Sequence, residues 1–107
     1  MTCLLRRCLV LAAAIAATAV IHAAEPHISR EAIEWCNIWI PDANDTTLPR
    51  VLLIGDSITG GYGPKVADAL KAKASVARLT TSKSIGDPAL LAEVALVLGQ
   101  CHFDAVH

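Results

Sequence analysis

VLLIGDSITGGYG, residues 51–63, joins a run of four apolar residues to a glycine-rich segment that contains a serine. A short, uninterrupted apolar run is typical of a strand that is buried on both faces of a parallel sheet. We therefore predict a strand over Val51–Ile54 and a glycine-rich turn over Gly55–Gly63. Ligands of open parallel sheets bind beyond the carboxyl ends of the strands. The turn would place the hydroxyl of Ser57 at that edge.

Helices and strands alternate in the prediction for the rest of the chain. The predicted elements are a helix over Pro64–Ala74 with Pro64 at its first position, a strand over Ser75–Leu79, a polar loop over Thr80–Asp87, an apolar helix over Pro88–Leu98 and a strand over Phe103–His107. This βαβαβ order with short connections is typical of a parallel sheet with right-handed crossovers. The predicted fold class is therefore α/β.

The last helix and strand indicate that this domain extends further. The helix over Pro88–Leu98 is apolar except for Glu93, which predicts burial against the sheet and against another element. The sequence also stops within an apolar strand, whereas domain boundaries usually fall in exposed linkers. We expect residues 50–107 to be the first part of a larger domain.

Residues 25–49 form a separate N-terminal portion in this prediction. Within Ser29–Ile40 the apolar residues recur at helical spacing, and Ser29 stands where a helix N-cap is expected. We predict an amphipathic helix here that packs on the following domain, with an apolar face made by Ile33, Cys36, Trp39 and Ile40. Pro41–Pro49 is rich in turn-forming residues and is predicted to be a linker or surface loop.

Residues 1–24 have the composition of a secretory signal peptide. Arg6 and Arg7 precede an apolar run over Cys8–Ile21, and small residues at Ala23 and Ala24 follow it. The run is shorter than the roughly 20 residues that a membrane span needs. We expect cleavage near Ala24, a secreted or periplasmic protein and no stable membrane span afterwards. The alternative is an uncleaved anchor helix.

The charge balance excludes one class of partner. Cleavage after Ala24 lowers the number of Lys and Arg residues from 9 to 7 against 10 acidic residues, which leaves a net charge of −3. Nucleic-acid binding needs a clustered basic face, so we expect no such partner. Cys36 and Cys101 remain, and they either pair in an oxidising compartment or are small buried residues. The histidines and cysteines show no metal-ligand spacing.

Ser57 is the candidate nucleophile in the glycine-rich segment. Backbone N–H groups near it would donate to a developing oxyanion. Asp56 has a local role in the prediction, accepting backbone N–H bonds in the turn. A serine hydroxyl needs a base within hydrogen-bond reach, generally a histidine oriented by a carboxylate. The segment itself contains no histidine.

Gly55-Asp56-Ser57-Ile58, directly after an apolar strand, resembles the first conserved block of the GDSL or SGNH hydrolase superfamily. Its members are esterases, lipases and carbohydrate deacetylases with a flavodoxin-like three-layer α/β/α fold. Gly86 matches the glycine of the second block. The resemblance implies that Ser57 is the nucleophile, that the N–H groups of Ser57 and Gly86 belong to the oxyanion hole, and that no cofactor or metal takes part.

The later blocks of the family have no counterpart in this sequence. They supply an asparagine after the third strand and, near the C-terminus, an aspartate three residues before a histidine. Asp104 and His107 have that spacing. We reject the match because side chains three residues apart on a strand point to opposite faces. The sequence has four histidines. His22 lies in the signal segment and His27 precedes the predicted first helix, whereas His102 and His107 flank the last strand.

The sequence therefore predicts the N-terminal portion of an exported serine esterase, truncated after the βαβαβ unit and inactive by itself. Its expected substrate is a small-molecule or carbohydrate ester. The alternative is a non-catalytic or inactive SGNH-like binding module. Nucleotide binding is a distant third interpretation, because Pro64, and not Lys, follows Gly63 where a phosphate loop requires Gly-Lys-Ser/Thr.

Overall fold

The computed structural model describes residues 27–107, so the predicted signal segment lies outside the described residues. Four strands and two helices follow one another along the chain. They are β1 (Cys36–Trp39), β2 (Arg50–Gly55), α1 (Ser57–Leu70), β3 (Ser75–Thr81), α2 (Pro88–Leu98) and β4 (Ala105–Val106). The predicted α/β class and the alternation of strand and helix from Arg50 onward are confirmed.

A single mixed sheet contains the strands in the order β1-β3-β2-β4. The strand β2 is parallel to both neighbours, with Leu52 opposite Ala77 of β3 and opposite Val106 of β4. The strand β1 runs antiparallel to β3 at the other side of the sheet. The carboxyl ends of β2, β3 and β4 therefore meet at one edge.

The two helices cover opposite faces of this sheet. Leu52, Ala77 and Leu79 form a fully buried cluster with Val97 of α2. Side chains alternate along a strand, so Arg78 and Thr80 point to the other face. There they lie against the glycines of α1, because a Cβ on Gly63 would collide with Arg78 and one on Gly60 would contact Thr80.

The predicted helix over Ser29–Ile40 is wrong, and Ser29 is not a helix N-cap. Residues 36–39 form β1, which pairs with β3 from Cys36 opposite Thr81 to Trp39 opposite Arg78. The free edge of β3 supplies the backbone partners that make this segment a strand, and the side chains of Ile38 and Trp39 suit a strand in any case. The Arg78 guanidinium lies 5.9 Å from the centre of the Trp39 ring.

The predicted turn over Gly55–Gly63 and the predicted helix start at Pro64 are also wrong. The helix α1 begins at Ser57 because Asp56 caps it, accepting the Ile58 N–H at 2.9 Å with its side chain. Pro64 therefore lies inside the helix, and α1 ends at Leu70 instead of Ala74. Glycines are poor helix formers, but Gly63 allows the helix to approach Arg78 closely.

The remaining boundaries are close to the prediction. The helix over Pro88–Leu98 is confirmed, with Asp87 as its N-cap. The strand β3 continues to Thr81, and β4 is limited to Ala105–Val106. Residues 41–49 are an irregular connection, as predicted, and the buried Arg50 guanidinium donates to the backbone carbonyls of Asp42 and Asp45 within it.

Candidate functional site

Ser57 is the first residue of α1 and follows β2 at the carboxyl edge of the sheet. Its side chain is exposed. The N–H groups of a first helical turn have no intrahelical acceptors, and the helix dipole makes this end partially positive. The Asp56 side chain accepts the hydrogen bond of the Ile58 N–H. The backbone N–H of Ser57 itself is oriented with that turn and can donate to an oxygen placed beside its hydroxyl.

A groove of about 580 Å³ opens at this edge of the sheet. It extends from the end of β2, past the end of β3, to the start of α2. Its lining residues come from all three parts of the chain and are Ile54, Gly55, Asp56, Thr59, Thr81, Lys83, Ser84, Ile85 and Leu90. The apolar side chains of Ile54, Ile85 and Leu90 provide a surface for a short uncharged group.

Gly55 and Thr59 line the groove together and pack closely against each other. A Cβ at this position would overlap the buried Thr59 side chain. The Thr59 hydroxyl donates to the Tyr62 hydroxyl oxygen at 3.2 Å. Gly55 supports the motif by close packing and not by an unusual backbone angle, since its φ is not positive.

Gly86 lies in the loop between β3 and α2, residues 82–87, and is exposed. A Cβ built on it would meet nothing within 4 Å. Its neighbour Ile85 lines the groove, as does Asp56 next to Ser57. Ser57 and Gly86 do not themselves line this groove, but each is the chain neighbour of a residue that does. They follow adjacent parallel strands, and each lies within two residues of a helix start.

An ion-pair network at this edge was not predicted from the sequence. Lys83 Nζ lies 2.7 Å from one oxygen of Glu34 and 3.9 Å from Glu93. Hydrogen bonds from Lys83 and Ser82 lower the pKa of Glu34 to about 2, and the bond with Glu34 raises the pKa of Lys83. Glu34 and Lys83 are 49 residues apart in the sequence, so no local spacing indicated the pair.

A second ion pair joins Arg30 to Asp87. The guanidinium donates from Nε to Oδ2 at 3.0 Å and from Nη2 to Oδ1 at 3.2 Å. Asp87 also accepts the Ala89 N–H as the cap of α2. The Ala89 N–H and then Arg30 hold the pKa of Asp87 below its usual range, against the effect of burial.

Neither histidine of the C-terminal segment forms a catalytic pair with Ser57. His102 lies 3.3 Å from Asp104, whose other oxygen accepts the Arg50 N–H at 2.8 Å. Arg50 begins β2, so this pair lies at the amino edge of the sheet, opposite Ser57. His107 lies toward the carboxyl edge, where its backbone bonds to Leu52 and Ile54. Among residues 27–107, no imidazole is hydrogen-bonded to the Ser57 hydroxyl.

Cys36 and Cys101 are free thiols. Cys36 pairs with Thr81 in the sheet, whereas Cys101 borders a cavity of about 340 Å³ beside Arg50 and His102. Partial burial raises the pKa of the Cys36 thiol, and the Glu93 carboxylate raises it further. The sequence left open a disulfide or two small buried residues; the structure has two unpaired thiols, of which Cys36 is exposed and Cys101 is partly buried.

Neither a scan against protein-family models nor a search of the curated proteins finds a match to this chain. Within residues 27–107, no group of three or more histidine, cysteine or acidic side chains is arranged to hold a metal ion. In the same part of the chain, neither helix is long and apolar enough to cross a membrane.

Proposed function

We propose that this chain carries the nucleophile portion of an exported serine ester hydrolase with the SGNH, flavodoxin-like fold. The observation that carries the proposal is the position of Ser57, exposed at the first residue of a helix that directly follows a central parallel strand. The strand order β3-β2-β4 supports it, because flavodoxin-like sheets begin with the same arrangement around their first strand.

In the proposed reaction the Ser57 oxygen attacks the carbonyl carbon of an ester, and the hydroxyl proton passes to a histidine base. The carbonyl oxygen becomes an oxyanion that accepts hydrogen bonds from the N–H groups of Ser57 and Gly86. The alcohol then leaves with a proton, and water hydrolyses the acyl-enzyme. The resemblance assigns the base and its carboxylate to later sequence blocks, and no residue among 27–107 is proposed for them.

The groove favours a small ester as the substrate. Its wall of Ile54, Ile85 and Leu90 suits a short uncharged acyl group, and its volume of about 580 Å³ suits a small ligand. Export, if residues 1–24 are a cleaved signal, brings the protein to accessible esters such as acetylated carbohydrates. Detection of a mature chain beginning near Glu25 outside the cytoplasm tests the export.

The decisive experiment begins with the DNA downstream of the His107 codon. A reading frame that continues into an asparagine-containing segment and an Asp-x-x-His segment supplies the missing groups. The protein from that frame is expected to hydrolyse a small chromogenic ester, and Ser57→Ala is expected to abolish turnover. Ser29→Ala is the matched control, because Ser29 is an exposed serine that does not line the groove. Retained activity in Ser57→Ala would remove Ser57 from the mechanism.

The second candidate is a non-catalytic module that uses the same groove to bind a ligand. It is favoured by the absence, within residues 27–107, of an imidazole bonded to Ser57. A stop codon after His107 in the genomic DNA, together with ligand binding that is unchanged in Ser57→Ala, supports this second candidate over the enzyme.

A further inference from the structure

The segment formed by residues 30–35, here named the strap, lies across the start and the end of the loop formed by residues 82–87, here named the Gly86 loop. At the start of the loop, the Ser82 N–H donates to the Trp35 carbonyl at 3.0 Å, and the Trp35 N–H donates to the Ser82 hydroxyl at 2.9 Å. These bonds continue the pairing of β1 with β3 beyond the last residues of the sheet ladder.

Charged side chains add to this attachment at both ends of the loop. Glu34 of the strap binds Lys83 and accepts a hydrogen bond from the Ser82 hydroxyl. Arg30 binds both oxygens of Asp87, the last residue of the loop. Guanidinium and carboxylate groups that pair in this two-pronged way fix orientation as well as distance.

The middle of the loop is a turn closed by one backbone hydrogen bond, which the Asp87 N–H donates to the Ser84 carbonyl at 3.0 Å. Ile85 is 95 % exposed, and the position of a Gly86 Cβ is free of contacts within 4 Å. Packing therefore does not hold Gly86 in place. Its position relative to Ser57 depends on how firmly the two ends of the loop are held.

We propose that the strap positions the oxyanion-hole side of the groove, with Arg30 and Glu34 as positioning residues that act on Gly86 through Asp87 and Lys83. The consequence for catalysis rests on the proposed function, whereas the effect on the loop does not. Neither residue lines the groove, so both act without touching the substrate.

The direct test measures backbone order in the whole chain by ¹⁵N relaxation. We expect Ile85 and Gly86 to have order parameters near 0.85 in the wild type and below about 0.6 in Arg30→Leu and Glu34→Gln. Arg30→Lys keeps the charge but loses the two-pronged geometry, and we expect an intermediate value. Glu31→Gln is the matched control, because Glu31 is an exposed acidic residue of the same strap whose side chain makes none of these bonds.

Two results would overturn the proposal. One is a Gly86 loop that remains as rigid in both variants as in the wild type. The other is a loss of order that extends equally to Leu53 and Leu79, because the strap would then stabilise the sheet and not the loop. The buried sheet residues therefore serve as an internal reference for folding in each variant.

An activity measurement connects the loop to catalysis. In the protein expressed from the continued reading frame, we expect Glu34→Gln to lower kcat for the chromogenic ester about tenfold, with KM nearly unchanged, because an oxyanion donor acts in the transition state. Glu34→Asp is expected to recover part of the loss. A variant with a disordered loop and full kcat would overturn the positioning role. Full activity in Ser57→Ala would instead overturn the proposed function and leave the relaxation result standing.

Discussion

Arg30 and Asp87 form an ion pair in which the carboxylate is fully buried and the guanidinium is half exposed. The same carboxylate is the N-cap of α2. The Asp87 side chain thereby connects the N-terminal segment, the loop that carries Gly86 and the helix α2. Removing it leaves both the helix end and Arg30 without their partner.

We expect Asp87→Ala to lower the Tm more than the equivalent change at the other helix cap. Asp56 caps α1 but is exposed and caps without an ion pair. Loss of a cap alone corresponds to about 4–8 °C in a domain of this size, which is the result expected for Asp56→Ala. Asp87→Ala should cost roughly twice as much. Equal Tm values for the two variants, measured by thermal unfolding, would contradict a structural role for the Arg30 pair.

Acid should weaken the fold through Glu34. Its pKa is about 2 in the folded protein, compared with an ordinary value of 4.5, so the folded state binds fewer protons between these values. The stability that Glu34 contributes is complete above about pH 4.5 and is lost as the pH falls toward 2. We expect urea midpoints to fall over this range in the wild type and to fall less steeply in Glu34→Gln.

The remaining acid sensitivity of Glu34→Gln has its own sources. A hydrogen bond from the Thr47 N–H is the main cause that lowers the pKa of Asp45. A hydrogen bond from the Arg50 N–H is the main cause that lowers the pKa of Asp104. Both carboxylates are unchanged in the variant, so the urea midpoint must still fall to some extent as the pH is lowered. An identical dependence of the urea midpoint on pH in both proteins would show that the Glu34 pair does not contribute to stability.

Local sequence signals were sufficient for the central part of this fold. A strongly apolar run predicted α2, and four continuous apolar residues predicted β2. The strand β1 was missed because its apolar residues also fit a helical spacing, and only the free edge of β3 distinguishes the two. The start of α1 was missed because the four glycines of residues 55–63 normally indicate a turn, whereas three of them lie within α1, where Gly63 packs against Arg78.

The site was predictable to a similar extent. The serine and its edge of the sheet follow from residues that are adjacent in the sequence. Arg30 pairs with a residue 57 positions later in the chain, and Glu34 pairs with one 49 positions later. Nothing in the local sequence distinguishes these side chains from solvated charges. Only the antiparallel return of β1 along β3 brings them to the loop.

Two glycines of α1 should respond in opposite ways to alanine. A Cβ on Gly61 would meet nothing within 4 Å, so Gly61→Ala gains helix propensity and should stabilise the fold by about 0.5–1 kcal/mol. A Cβ on Gly63 would lie 2.5 Å from Arg78 Cδ, which is held against Trp39. Gly63→Ala should therefore destabilise the fold. Urea unfolding measures both, and a stabilised Gly63→Ala would show that Arg78 moves away freely.

The chain of 107 residues is expected to hydrolyse a small chromogenic ester no faster than its Ser57→Ala variant. The physical reason is that Ser57, among residues 27–107, has no imidazole within hydrogen-bond reach to accept its proton. His102 is paired with Asp104 at the opposite edge of the sheet. Turnover at enzyme-like rates that disappears in Ser57→Ala would contradict this expectation. Loss of that turnover in His107→Ala as well, with His102→Ala unaffected, would then identify His107 as the base.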